Sequence, residues 1–388
     1  MAVARSLHPR AVPVDVASFV PALAPGSNAI REFHRVARPE LDRNEFLSQI
    51  RDIVQRGGHD LIIPADDQAL MAIVDNYKQF RNLAELACPP PEITRTILDK
   101  SLTLEVAHRC GIRVPRTNLI SNSEQLRELS SSFPFPWVLK PARKELTIEE
   151  IKSSSFKTRA EVFSRFPKPR EFNPPMLLQE YCQGGGVGVE LLIREGECLA
   201  AFQHRRLEEV PYTGGVSVTA IAEALDPVLL GKSLQLLRAL HWEGPAMVEF
   251  RANTRSGAAV LMEVNGRYWG TVSLPIMAGV DIPYYHWQLL HGEKPSIPET
   301  YAVGTRWRWT AGHVWRLHEL MISARKSKAA RNELLRYVSE HAGAEDVASR
   351  DPLFSDSDPM PAVFDLAQIV RHLTAYDAKA LLRHVSTR

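Results

Sequence analysis

Two short stretches decide how this sequence is interpreted: residues 247–250, Met-Val-Glu-Phe, and residues 261–267, Leu-Met-Glu-Val-Asn-Gly-Arg. In each stretch an acidic residue, Glu249 or Glu263, interrupts an apolar run that is typical of a β-strand. The strand period of two places Glu263 and Asn265 on one face. If the two strands pair across the loop 253–257, Glu249 meets them on that face, which brings together two carboxylates and one neutral oxygen.

Oxygen ligands of this kind suit Mg²⁺, which completes an octahedron with water and nucleotide phosphates. The alternative is a solvated sheet face. Apolar residues alternate with the acids, as that alternative also predicts: Val248, Phe250, Met262 and Val264. The pattern alone does not separate a metal site from a solvated face.

Lysines supply the positive charge that a triphosphate needs beside two carboxylates. Lys140 ends the apolar run 137–140 and precedes Pro141, a position that favours a lysine turned into a cleft. Lys100 is weaker evidence, because it lies on a predicted helix surface, where most lysines are only solvated. The glycine run at 184–188 follows an apolar strand and would let backbone approach a ligand, but a flexible turn is the more frequent meaning of such a run.

The pattern of the rest of the chain predicts alternating helices and strands up to residue 90. It predicts mostly antiparallel strands after that and a helical tail beyond Pro298. The prolines at 89–91 mark a boundary, after which one amphipathic helix is predicted over 93–110. Asp66 and Asp67 follow the predicted strand 61–63. There they would serve either as a ligand site at a strand end or, more commonly, as a helix N-cap.

Composition excludes several classes of protein. The 388 residues contain 47 Lys and Arg against 45 Asp and Glu, a net charge of +2, so neither nucleic acid nor an anionic membrane is expected as a partner. No apolar run approaches the ~18 residues of a membrane span, and the N-terminus lacks the apolar centre of a signal peptide. The four cysteines lack metal-type spacing. A cytoplasmic location follows as an expectation.

P-loop, dinucleotide-binding, zinc-peptidase and serine-hydrolase motifs are absent from the sequence.

Five segments, taken in order and spacing, resemble the ATP-grasp superfamily, nearest to its carbamoyl-phosphate-synthetase-like and carboxylate-amine ligase branch: 98–100, 138–141, 178–182 with the glycines that follow, 247–250 and 262–267. The resemblance implies an α/β (α+β) fold in which two α+β lobes form the ATP-grasp domain, preceded by a Rossmann-like lobe. That preceding lobe would be truncated if its usual first strand is missing. The implied domains are 1–90, 91–298 (small lobe about 115–182, large lobe about 183–298) and a helical extension, 299–388.

The resemblance also implies roles for individual residues. Lys100 and Lys140 would hold α- and β-phosphate oxygens, and backbone groups of Glu180 and Cys182 would bind adenine. The acid that usually holds the ribose falls near Val187, with Glu190 as an uncertain substitute. The implied Mg²⁺ ligands, with Mn²⁺ as an alternative ion, are Glu249, Glu263 and Asn265. The implied charge stabilisers for phosphoryl transfer are Arg267 and, in the substrate loop 203–217, Arg206 in preference to Arg205.

The implied activity is an ATP- and Mg-dependent ligase that turns a carboxylate into an acyl phosphate for attack by an amine or a similar nucleophile. A kinase-like phosphotransferase and a non-catalytic ATP-binding protein stay open as alternatives. The implied partners are a small carboxylate and an amine, and a homodimer is the base-rate expectation for assembly. In place of the glycine-rich flap of many relatives, residues 142–166 contain no glycine, which puts flap closure in doubt.

Overall fold

The structure is a computed structural model that describes residues 1–20, 26–144, 154–253, 258–325, 327–341 and 349–385. It is a mixed α/β protein built on two larger sheets, one of four strands and one of seven, with two small parallel sheets in the N-terminal lobe. Within these ranges no helix is both long and apolar enough to span a bilayer.

The N-terminal lobe pairs its strands in parallel. Its helices are α1 (Ala2–Leu7), α2 (Arg43–Gly57), α3 (Asp67–Asp75) and α4 (Tyr77–Arg81), with a 3₁₀ turn at His8–Arg10. Its strands are β1 (Asp15–Ser18), β2 (Glu32–Arg35), β3 (Leu61–Ile62) and β4 (Glu85–Leu86), which form the pairs β1–β2 and β3–β4. Gly58, in the left-handed region at φ 61°, ends α2.

Two helices, α5 (Pro91–Leu98) and α6 (Lys100–Arg109), stand where the sequence predicts one over 93–110, so that prediction is wrong. The break is at Asp99, whose backbone is extended and bridges to Arg143. Its carboxylate accepts hydrogen bonds from the amides of Ser101 and Leu102, which caps α6. An apolar period alone does not reveal such a break, because the apolar stripe continues through it.

The four-stranded sheet has the order β5-β8-β6-β7 and is antiparallel throughout. Its strands and helices are β5 (Thr117–Asn122), α7 (Ser123–Leu129), β6 (Trp137–Pro141), β7 (Ser154–Phe156), α8 (Arg159–Arg165) and β8 (Glu171–Glu180). Trp137 and Leu139 are fully buried in its core, so the alternate residues of β6, including Lys140, face the opposite side.

The seven-stranded sheet has the order β13-β12-β9-β10-β11-β14-β15. Its first part contains β9 (Gly185–Arg194), β10 (Glu197–Val210), β11 (Val216–Glu223), α9 (Pro227–Ala239), β12 (Gly244–Ala252), β13 (Ala259–Asn265), α10 (Ser273–Met277) and α11 (Ile282–Leu290). One face of the sheet packs on α9 and the other packs on the segment 268–285. The two faces therefore belong to two separate apolar cores.

The glycine run lies mostly inside β9, so its interpretation as a flexible turn is wrong from Gly185 onward. The structure gives a packing reason for these glycines. A Cβ on Gly188 would collide with the His204 ring, and a Cβ on Gly186 would come within 2.8 Å of the Arg206 side chain. The glycines therefore make room for two side chains of the neighbouring strand.

The C-terminal region is helical but also completes the large sheet. Its elements are β14 (Arg306–Arg308), α12 (Thr310–Ala324), α13 (Lys328–His341), β15 (Ser349–Arg350) and α14 (Met360–Val385). Strand β14 pairs antiparallel with β11, and Trp307 is buried in the core with its indole N–H 2.9 Å from Ser273 Oγ. Trp307 therefore contributes to the packing of the core.

Substituting Gly188 with alanine should destabilise the protein by about 1–3 kcal/mol, because the added methyl group overpacks the space that His204 fills. Gly231→Ala is the matched control. That glycine lies in α9 with open space around its Cβ position, so the change should be stabilising by about 0.5–1 kcal/mol. Urea unfolding of both variants checks the pair, and equal effects of the two changes would contradict the packing argument.

Candidate active site

A cleft of 350 Å³ lies between the four-stranded and the seven-stranded sheet. Its walls come from both: β6 and β7 on one side, β12 and β13 on the other, with the loop at 211–215 and the chain just after β8 at its edges. Five residues predicted from the sequence line it: Lys100, Lys140, Cys182, Glu249 and Glu263.

Glu249 and Glu263 are directly opposed across the antiparallel pair β12–β13. Cross-strand neighbours have Cβ atoms about 4.5–5.5 Å apart, and like charges in that position repel. Both carboxylates also lie away from bulk solvent, which makes their mutual repulsion stronger. The sequence predicts that these two acids lie opposite each other. The cations around them compensate for the repulsion between their charges.

Arg206 is the cation at Glu249. Its guanidinium donates to Glu249 Oε2 at 2.5 Å, to Glu209 at 3.4 Å and to the carbonyl of Gly215 at 3.2 Å. Burial lowers the pKa of Arg206, but Glu249 and Glu209 outweigh burial and raise it above the usual value. Arg206 thus joins the β12 acid to the loop at the cleft edge.

Three lysines surround Glu263. Burial raises the pKa of this carboxyl, but Lys144, Lys100 and Lys140 together outweigh burial and hold the pKa well below its usual range. Asn265 adds an amide hydrogen bond of 3.3 Å to Glu263 Oε1. Glu263 is therefore ionised at neutral pH and is the negative centre of a positively charged cleft.

Lys144 is a buried lysine that sequence reasoning missed. Its ammonium donates to the Val264 carbonyl and lies 3.4 Å from Asn265 Oδ1, which ties the small lobe to β13. A lysine four residues beyond Lys140 is the only signal the sequence offers, and it is lost in the basic segment 142–166. Of that segment, residues 145–153, where a flap would lie, fall outside the described residues.

Lys140 has an unusually low pKa for a lysine, about 8. Loss of water around its ammonium is the main cause and the nearby Lys100 charge is the second, while Glu263 and Glu249 act in the opposite direction. An incoming polyanion would reverse the balance and stabilise the charged form.

Lys100 is positioned by the helix break at Asp99. It is the first residue of α6, its amide donates to the Ala142 carbonyl at 2.9 Å, and its ammonium reaches the Pro141 carbonyl at 3.4 Å. The break turns this lysine from a helix-surface position toward the end of β6. It therefore stands beside Lys140 in the cleft wall.

Arg267 is held by the N-terminal lobe. Its guanidinium makes two hydrogen bonds of 3.0 Å to the two oxygens of Asp67, a bidentate pair. The two candidate roles of Asp66 and Asp67 are divided between the residues. Asp66 caps α3 by accepting from the Ala69 amide at 2.7 Å, while Asp67 faces the site through Arg267.

The predicted adenine-binding chain at 180–182 lies at the junction of the two lobes. The Glu180 carboxylate is directed to Arg116, at 2.9 Å, and its amide donates to the Arg116 carbonyl. Its carbonyl has only the Cys182 thiol near it, at 3.9 Å, among the described contacts. Adenine recognition by this backbone stays a prediction.

The structure contradicts the assignment of Glu190 as a ribose contact. Glu190 is fully buried in β9, opposite Met247, with His204 Nδ1 2.8 Å and Thr271 Oγ1 3.5 Å from its carboxylate. Burial raises its pKa well above the usual value and lowers that of His204 to about 3. Its strand position turns it into the sheet core, so it does not substitute for the ribose acid expected near Val187.

Comparison with known proteins identifies the fold. Residues 172–312 match the family model described as ATP-grasp in the biosynthetic pathway with Ter operon. A search of curated proteins finds no match to the sequence. Solved structures, in contrast, are similar to most of the chain, although their sequence identity to it is low.

Three solved structures illustrate the likeness. The biotin carboxylase domain dimer of the Hydrogenobacter thermophilus 2-oxoglutarate carboxylase, in complex with MgADP, ADP and bicarbonate, has a TM-score of 0.61 at 13% identity, covering 78% of this chain and 70% of that one. An N5-carboxyaminoimidazole ribonucleotide synthetase in complex with ADP scores 0.61 at 14%, with 78% and 76% covered. The L-amino acid ligase of Bacillus licheniformis scores 0.59 at 16%, with 74% and 70% covered. The fold is therefore ATP-grasp, as the resemblance implies.

The pKa of Lys140 should respond in opposite directions to two substitutions. Lys100→Met removes a repelling cation and should raise it, whereas Glu263→Gln removes an attracting anion and should lower it from about 8. NMR titration of the chain with ¹³C-methylated lysines measures both shifts. Lys294→Met, at an exposed lysine, is the control and should leave the Lys140 titration unchanged. Shifts of the same sign in the two test variants would contradict the described charge arrangement.

Proposed function

We propose that this chain, which has the ATP-grasp fold, is an ATP- and Mg-dependent ligase that activates a carboxylate as an acyl phosphate. An amine or similar nucleophile then displaces phosphate, and ADP is the other product. The single observation that supports this most is the convergence, in one cleft between two lobes, of opposed acids and several lysines. The substrates are small molecules, the reaction is placed in the cytoplasm, and a homodimer is the expected assembly.

The residues present fit a Mg²⁺ ion. Glu249 and Glu263 repel each other across two strands, and both offer the hard carboxylate oxygens that Mg²⁺ or Mn²⁺ prefers. Asn265 lies beside Glu263, with its amide nitrogen donating to Glu263 Oε1 and its Oδ1 3.4 Å from the Lys144 ammonium, so it would present Oδ1 to an ion after its amide turns. These three residues would hold the ion. When bound, it would offset phosphate charge and make the γ-phosphorus more open to attack.

Lys100 and Lys140 would neutralise the phosphates that are not transferred. Both line the cleft on the small-lobe side, facing the acids of β12 and β13 across it. At neutral pH, below the pKa of about 8, the Lys140 ammonium is mostly protonated and able to bind an anion. Positioning of this kind, rather than covalent catalysis, is the main contribution of a protein to phosphoryl transfer.

Arg206 and Arg267 would stabilise charge on the transferring phosphoryl group. Each has a planar guanidinium that a neighbouring carboxylate holds in place, Glu249 for Arg206 and Asp67 for Arg267. Held donors need little reorganisation when charge develops, and this lowers the barrier. Asp67 acts through Arg267 and is a positioning residue.

The compared structures favour activation of a carboxylate or of bicarbonate over other ATP chemistry. One is an L-amino acid ligase, and another is a carboxylase domain in complex with bicarbonate. A kinase-like phosphotransferase would use the same cleft but release a stable phosphorylated product. A non-catalytic ATP-binding protein has less support, because binding alone does not require both opposed acids and both held arginines.

An isotope-transfer assay tests the ligase proposal. A pool of carboxylic acids labelled with ¹⁸O is incubated with Mg-ATP, a pool of amines and the purified chain. We expect amine-dependent ADP release with ¹⁸O transferred into the released phosphate, since the carboxylate oxygen attacks the γ-phosphorus. Glu263→Gln should reduce ADP release by about 10²-fold or more. Glu299→Gln, at an exposed acid, is the control and should have full activity.

The same assay separates the alternatives. A phosphorylated compound that accumulates without phosphate release would support the kinase-like reaction instead. Binding of Mg-ATP without turnover on any pool would support the non-catalytic protein. A chain that does not bind Mg-ATP would refute both the ligase and its alternatives.

Asp67→Asn should lower kcat by about 10–100-fold with little change in the Kd for Mg-ATP, because it weakens the bidentate hold on Arg267. Asp66→Asn is the matched control, since asparagine keeps the α3 cap. Steady-state kinetics and nucleotide titration of both variants measure the effect. An equal loss in the two variants would mean that the Asp67–Arg267 pair does not position the arginine.

A further inference from the structure

Three metal-ligand side chains meet outside the cleft: Glu208 of β10, His313 of α12 and His341 of α13. Their ligand atoms all lie within 4.8 Å of one another. Glu208 Oε2 is 3.7 Å from His313 Nε2 and 3.7 Å from His341 Nε2. We propose that this Glu-His-His cluster binds a divalent transition metal ion of the zinc type.

The donor set and its spacing suit zinc. Zinc in proteins takes imidazole nitrogen and carboxylate oxygen at about 2.0–2.2 Å, and four ligands around it then lie roughly 3.3 Å apart. Small side-chain shifts from the present 3.7 Å reach that spacing. The Thr219 hydroxyl stands in the same space, 2.6 Å from Glu208 Oε2 and 2.8 Å from His313 Nε2, and supplies a neutral oxygen beside the three ligands.

Tyr337 orients both imidazole rings. The His341 Nδ1 atom is 2.7 Å from the Tyr337 carbonyl oxygen, which can only accept, so Nδ1 holds the proton and Nε2 presents its lone pair toward Glu208. The Tyr337 hydroxyl is 2.7 Å from His313 Nδ1. Outer hydrogen bonds of this kind fix the tautomer and direction of imidazoles that bind metals.

The charges around Glu208 leave room for a cation. Its side chain is only 10% exposed, and its Oε1 atom is buried without a hydrogen-bond partner in the described part of the chain. Arg316 Nε is 4.0 Å from that oxygen, but this arginine bonds Glu333 at 2.6 Å and the Glu209 carbonyl. Arg316 is thus already paired with Glu333, which Arg336 also bonds at 2.6 Å, and its contact with Glu208 is long.

The competing explanation is a purely structural hydrogen-bond chain. In it the Tyr337 hydroxyl donates to His313, His313 to Thr219, and Thr219 to Glu208. His341 is not a member of that hydrogen-bond chain, although the His341 Nε2 atom lies 3.7 Å from Glu208 Oε2. A bound metal ion would account for the positions of all three side chains.

The site would join the C-terminal helices to the strand that holds Arg206. Glu208 is two residues beyond Arg206, at an irregularity in the pairing of β10 with β11. The adjacent Glu209 bonds both Arg206 and Arg251. The metal site is independent of the proposed ligase reaction, since none of its ligands lines the cleft.

Metal analysis of the full chain tests the proposal. After chelation and dialysis, Zn²⁺ is titrated against a chromophoric chelator with Mg²⁺ in excess, and we expect about one tightly bound ion per chain. Tyr337→Phe should weaken zinc affinity by about 10–100-fold while keeping the ligands. His341→Gln and Glu208→Gln should each abolish competitive binding.

Two controls locate the ion. Glu263→Gln removes a cleft acid and His372→Gln removes an exposed histidine of α14, and both should keep the zinc stoichiometry. Loss of zinc in Glu263→Gln alone would place the ion in the cleft and overturn the proposal. So would zinc binding that survives His341→Gln and Glu208→Gln combined.

Replacement by Co²⁺ needs no variant and therefore holds even where a substitution prevents folding. The intense visible absorption of four-coordinate Co²⁺ with imidazole ligands is the expected result. A weak spectrum like that of hydrated Co²⁺, or no Zn²⁺ binding tighter than the micromolar range, would show that the cluster is only the hydrogen-bond chain.

Discussion

The repulsion between Glu249 and Glu263 is the constraint on which the rest of the site depends. Antiparallel pairing of β12 with β13 fixes the two residues opposite each other, and both line the same cleft. The charge of each acid is therefore compensated by a different part of the chain. Arg206, on β10 of the same sheet, bonds Glu249, and three lysines from the small-lobe side surround Glu263. The two lobes are thus linked through charge as well as through packing.

The sequence predicts the parts of the site that lie within one strand or one hairpin. Glu249, Glu263 and Asn265 follow from strand period and from a hairpin with a clear turn, because local pairing alone brings them together. Lys140 follows from its position at the end of an apolar strand. The order of the superfamily segments adds the fold, which the structural comparison confirms. The residue bounds of the three domains and the Rossmann-like character of the first lobe stay predictions.

What the sequence does not predict depends on contacts between distant segments. Arg267 is held by Asp67, 200 positions away, and nothing local distinguishes Asp67 from Asp66 as a partner. Lys144 is identified only when the small lobe is placed on β13. Glu190 shows the opposite error: it is the nearest acid to Val187, where the count along the chain falls, but the side-chain alternation of β9 buries it beside Thr271. The glycines of β9 are explained by the side chains of β10, which sequence alone does not align with them.

Strand β14 has a consequence for how this protein can be divided. It covers the β11 edge through Thr219, Ala220 and Ile221, and it carries Trp307 into the core beneath the sheet. A fragment cut after Pro298, the end of the ATP-grasp domain predicted from the sequence, would expose an unpaired strand edge next to an open apolar surface, and such edges recruit other chains. For anyone recombining this domain with others, the transferable unit therefore extends at least through β14, and the C-terminal region is part of the architecture rather than an appendage.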